Sequence, residues 1–88
     1  MVGMKGVCGN AWALANYVTA NYSVRSIGGI RPDRLPDHPS GRAIDIMVDT
    51  ATGNAIAADL RANPGRFGIK YILWQVPAHY DHIHVTVF

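Results

Sequence analysis

Two segments of this chain alternate between a greasy side and a chemically active one, and this period of two limits the possible folds more than any other feature. Over residues 43–48, Ile44, Ile46 and Val48 fall on one side, and Ala43, Asp45 and Met47 on the other. Over residues 82–88, Ile83, Val85 and Val87 fall on one side, and His82, His84 and Thr86 on the other. Successive side chains of a strand point to opposite faces, so each segment reads as a β-strand with one face for a core. Strands of this kind need a second layer to cover the greasy face.

The remaining pattern supplies that layer. Asn10 reads as the N-cap of a first helix. Cys8, Ala11, Trp12, Ala15, Val18 and Tyr22 then follow helical spacing and make one apolar stripe. A second helix is expected from about Asn54 to Asn63, with Ile56 and Leu60 one turn apart and Pro64-Gly65 as its stop. Val24 to Ile27 and Lys70 to Gln75 are further strand candidates. Residues 31–41 hold three prolines, two aspartates and a glycine, which predicts a loop. The sum is an α+β domain, a small antiparallel sheet with two helices packed on one face.

With 88 residues, the chain makes one domain with a modest core. A metal bound only by the native state would add to the stability of so small a fold. Eight Lys plus Arg stand against six Asp, and the formal charge of +2 is too weak to suggest a nucleic-acid partner. No apolar run is long enough to span a bilayer. The start at Met1 to Lys5 lacks the apolar core of a secretory signal. Cys8 is the one cysteine, which excludes an intrachain disulfide. Phe88 follows directly on a strand-like run, so residues 1–88 are expected to be a single domain excised from a longer protein. A monomer is expected. Trp12 and Trp74 read as core residues.

The two alternating strands carry the chemistry. If they are neighbours, Asp45 and His84 project from the same side of the sheet. His38 lies seven residues before Asp45 in the Pro-rich loop, within reach of the strand's polar face. Two imidazoles and one carboxylate give three protein ligands with an open fourth position, the pattern of a catalytic zinc site. Asp in the middle of an apolar strand is disfavoured by strand propensity, and burying it without a partner is costly. His79 and Tyr80 precede Asp81. They either line the cleft, with Tyr80 donating a hydrogen bond to an oxyanion, or shape the turn.

These residues carry a family resemblance. His38-Pro39-Ser40-Gly41-Arg42-Ala43-Ile44-Asp45 reads H-x-x-G-x-A-x-D, and Asp81-His82-Ile83-His84 reads as an acid joined to H-x-H. Together they resemble the LAS metallopeptidases (lysostaphin, the D-Ala-D-Ala metallopeptidases and the hedgehog fold). The resemblance is to the D-Ala-D-Ala carboxypeptidase and L-alanyl-D-glutamate endopeptidase branch found in bacteriophage endolysins. It implies a hedgehog-like fold, zinc held by His38, Asp45 and His84, Asp81 as general base, and His82 beside the metal assisting the transition state. It also implies that Arg31, in Gly29-Ile30-Arg31, holds substrate. Three features depart from the pattern. Pro36 stands where the family often has Ser, Asp81 where it often has Glu, and the stretch from Arg31 to His38 is short.

The expected activity is therefore zinc-dependent hydrolysis of a peptide bond in bacterial peptidoglycan, in a stem peptide or a cross-link. Its place of action would be the cell wall, reached through a flanking region or phage release. Two other functions compete. One is a catalytically impaired, zinc-containing cell-wall-binding module. The other is a nuclease of the HUH type, which nicks single-stranded DNA through a tyrosine. His82-Ile83-His84 and Tyr17 or Tyr22 would serve that reaction, but it leaves His38, Gly41 and Asp45 unexplained.

Overall fold

Helix α1 (Gly9–Asn21) begins two residues earlier than an N-cap at Asn10 would place it. Cys8 is its N-cap, and its carbonyl accepts the Trp12 N–H at 3.0 Å. The same residue donates its own N–H to the Gly41 carbonyl at 2.8 Å, tying the helix start to the turn that leads into the sheet. Cys8 is thus a half-buried cap that packs against the core from the residue before the helix. Ala11, Leu14, Ala15 and Val18 are buried, so Leu14 joins the expected stripe, while Trp12 and Tyr22 lie at its margin. The structure, a computed structural model, describes residues 8–29, 40–77 and 79–88. Arg31 and His38 lie outside the described residues.

Helix α2 (Thr50–Ala62) starts four residues earlier than Asn54. Asp49 caps it, its Oδ1 accepting the Thr52 N–H at 2.7 Å. The early start carries Gly53 inside the helix, where glycine is intrinsically unfavourable. Trp74 explains the residue: its ring lies on Gly53, and any Cβ there would run into the indole. Trp74 Nε1–H donates to Asn54 Oδ1 at 2.9 Å, so the indole is buried and its polar atom paired. The helix ends at Ala62, and a short 3-10 turn at Pro64–Arg66 follows.

Four strands form one antiparallel sheet: β1 (Ser26–Gly28), β2 (Ala43–Met47), β3 (Ile69–Leu73) and β4 (His82–Val87), in the order β1-β2-β4-β3. Strand β1 begins two residues later than Val24. Strand β3 stops at Leu73, and Gln75 adopts a φ of 57° as the chain turns. Gly41 has a φ of 77°, a left-handed conformation that a residue with a Cβ adopts only with strain, just before β2 begins.

One face of the sheet meets the helices. Ile44, Ile46, Ile83 and Val85 are wholly buried with Leu14, Val18 and Ile56 in a single core. Helix α1 packs on β2 and β4, and α2 on β4. Each such side chain contributes on the order of 1.5–3 kcal/mol by leaving water. A one-residue slip of β4 would turn Ile83 and Val85 out and drive His82 and His84 into the core, so the apolar pattern holds the register. No helix among the described residues is long and apolar enough to cross a membrane.

Candidate metal and catalytic site

The register places Asp45 directly opposite His84, with Met47 opposite His82 and Ala43 opposite Thr86. Residues opposite each other on antiparallel strands share a face, so the polar sides of β2 and β4 merge into one patch. Asp45 and His84 are 2% and 6% exposed, a burial that demands partners for both. They find each other: His84 Nδ1 lies 3.2 Å from Asp45 Oδ1. A carboxylate only accepts, so a neutral His84 donates its Nδ1–H there. Its Nε2 then accepts from the Thr86 hydroxyl at 2.8 Å.

His82 extends this row outward. Its Nε2 is 3.9 Å from Asp45 Oδ1, and its Nδ1–H donates to Asp81 Oδ1 at 2.8 Å. That hydrogen bond is the main cause holding the Asp81 carboxyl below the ordinary carboxylate range. Two more rings close around the pair. Tyr71 of β3 stacks on His84 with centroids 5.7 Å apart and planes at 14°. His79 meets His84 edge-on at 5.8 Å and His82 at 5.0 Å. The loop holds His79 in place: Gln75 N–H donates to its carbonyl, its N–H donates to the Val76 carbonyl, and its Nδ1–H donates to the Pro77 carbonyl at 3.0 Å.

The structure thus brings together Asp45, His82 and His84, with Asp81 at the exposed rim. Tyr80 is exposed, and its backbone carbonyl accepts from the Gln75 side chain. Thr86 and Tyr71 were not singled out as site residues by the sequence. Thr86 could have been, because it lies two residues beyond His84 on the same face. Tyr71 had no such signal, since its place depends on β3 pairing with β4.

The donor chemistry suits zinc. Asp45 Oδ1 and His84 Nδ1 share a hydrogen bond at 3.2 Å and His84 Nε2 is paired with Thr86, so a metal held by both side chains would replace one of these bonds. Imidazole with one carboxylate favours zinc over calcium or magnesium, which prefer oxygen ligands. Among the described residues, no three His, Cys, Asp or Glu side chains are arranged to hold a metal by themselves.

Fold and site together define a class: a small α+β domain whose sheet packs helices on one face and holds a buried carboxylate–imidazole pair on the other. The chain belongs to the family of the VldE C-terminal domain, whose model matches residues 4–81, a span that takes in Asp45 and ends at Asp81. No curated protein and no solved structure matches it.

Proposed function

We propose that this domain is a zinc-dependent peptidase that hydrolyses a peptide bond in bacterial peptidoglycan. The buried Asp45–His84 pair is the observation that supports the reading most. A buried acid and imidazole placed face to face contribute little to stability that a pair of apolar residues would not. A metal gives them a purpose. His38, Asp45 and His84 would hold it. Zinc, when bound, supplies Lewis acidity toward the scissile carbonyl.

The chain's own groups do the rest. The hydrogen-bonded Asp81–His82 pair handles the proton that passes from the attacking water to the leaving amine. Arg31 clamps a substrate carboxylate through its guanidinium. The Tyr80 hydroxyl donates to the developing oxyanion. The domain acts as a monomer at the cell wall.

One observation weighs against the nicking reaction. Tyr17 and Tyr22 both donate their hydroxyls to Asp59 Oδ2 at 2.6 Å. Their helix packs on the apolar face of the sheet, opposite His82 and His84.

The test is metal analysis joined to mass spectrometry of muropeptides. Protein purified without chelator should carry about one zinc per chain and should release new peptide fragments from peptidoglycan. Folded, zinc-loaded protein that leaves muropeptides unchanged would favour the binding module. Protein that never takes up zinc, yet cleaves, would end the zinc reading.

A further inference from the structure

We propose that Asp81 is a positioning residue for His82, and that the His82 imidazole is the group that moves the proton. This assignment rests on the peptidase reading and divides the acid–base work within it. The geometry supports the division. The Asp81 side chain is 83% exposed, whereas that of His82 is 13% exposed and lies between Asp81 and the buried Asp45. The carboxylate sits on the solvent side of the ring and the site on the other.

The hydrogen bond sets the tautomer. Asp81 Oδ1 accepts from Nδ1 at 2.8 Å, so a neutral ring carries its hydrogen there and keeps its lone pair on Nε2. That nitrogen is the atom 3.9 Å from Asp45 Oδ1. The tautomer that Asp81 imposes is therefore the one that leaves a proton acceptor facing the Asp45–His84 pair. His79 packs against the ring, with centroids 5.0 Å apart. Asp81 itself is a weak acceptor, because the bond from His82 lowers its affinity for a proton.

The step balances. A water oxygen forms a bond to the carbonyl carbon as His82 Nε2 takes one of its protons. The carbon–nitrogen bond then breaks, and Nε2 returns that proton to the leaving amine. The products are a free carboxylate end and a free amine end, and His82 is restored.

Two measurements on the whole chain test this. The first is the tautomer of His82, read by long-range nitrogen–proton NMR correlations in metal-free protein. The wild type should show hydrogen on Nδ1, and Asp81→Ala should lose that preference while Asp81→Glu keeps it. The second is a double-mutant cycle on muropeptide cleavage. His82→Gln should lose about a hundredfold or more in kcat, the usual worth of an acid–base group. Asp81→Ala should lose less, and adding it to His82→Gln should cost nothing further, because the two act as one unit. Independent, multiplying losses would make Asp81 a proton carrier in its own right and overturn the proposal, as would wild-type kcat in His82→Gln. Hydrogen on Nε2 in the wild type would also overturn it. If the wild type holds zinc but cleaves nothing, the peptidase reading and the proton role of His82 fall together. The NMR comparison then upholds or overturns Asp81 as the residue that sets the ring.

Discussion

Asp45 and His84 stand directly across from each other on adjacent antiparallel strands, 39 residues apart in sequence and 3.2 Å apart at Oδ1 and Nδ1. The pair is buried, so neither side chain can exchange its partner for bulk water.

Removing one partner should therefore cost stability even without metal. Asp45→Ala leaves the His84 Nδ1–H buried without this acceptor, a loss of about 1–3 kcal/mol. In zinc the difference should grow, because the wild type gains binding energy that the variant forfeits, about 4 kcal/mol at a thousandfold excess over the dissociation constant. Denaturant midpoints measured with chelator and with zinc check this. The same difference in both conditions would make the pair purely structural. His38→Ala should lower stability in zinc.

Thr86 should matter to the metal without touching it. Its hydroxyl can donate to His84 Nε2 or accept from it, so it can serve either tautomer of the ring. Thr86→Val keeps the shape and loses both options. Outer hydrogen-bond partners of this kind are worth about 10–100-fold in metal affinity. Competition with a zinc-binding dye should show a loss of that size for Val and little change for Ser; equal affinity in all three proteins would remove Thr86 from the site.

Gly53→Ala should destabilise the protein, contrary to its effect in an open helix. Alanine gains about 1 kcal/mol in helix propensity, but its methyl meets the Trp74 ring, and overpacking typically costs about 1–3 kcal/mol. A net loss with a red-shifted tryptophan emission is expected. A stabilised variant would show that Trp74 does not pack there.

Tyr22 and Asp59 should link stability to pH at both ends. The hydrogen bond to Asp59, followed by burial and the nearby charge, pushes the Tyr22 hydroxyl up to about 12. Its folded value lies above the unfolded one, near 10. This contribution is whole below about pH 10 and is lost as pH rises through about 12. Asp59 is held below its ordinary value by the bonds from Tyr17 and Tyr22. Its contribution is present above about pH 4 and fades as pH falls through its lowered value. Absorbance titration should show Tyr22 ionising at markedly lower pH in Asp59→Asn. An unchanged tyrosine curve would break the link.

Much of the architecture could be read from residue order. The alternation around Asp45 and around His84 predicted two strands, their apolar faces and a helical cover, and the sheet pairs them as neighbours with those faces inward. The start of α2 was not legible. Gly53 is unfavourable in a helix, and its reason is an indole 21 residues away that needs a surface without a Cβ. Asn10 looked like a cap because Cys8 has no capping side chain; the bond from Cys8 to Gly41 sets that end instead.

The sequence by itself determined which side chains share a face, because the strand period of two is a local property of the backbone. Local pattern therefore put Asp45 opposite the core, and His82, His84 and Thr86 together on one side. Only the tertiary structure decided which of them touch. Strand order and register set the Asp45–His84 contact, and the pairing of β3 with β4 brings Tyr71 onto the His84 ring. The turn of Asp81 toward the outer edge of His82, and not toward Asp45, depends on where the chain enters β4. Distances of 3 Å between strands come from packing the whole apolar face against two helices, and no run of neighbouring residues encodes them.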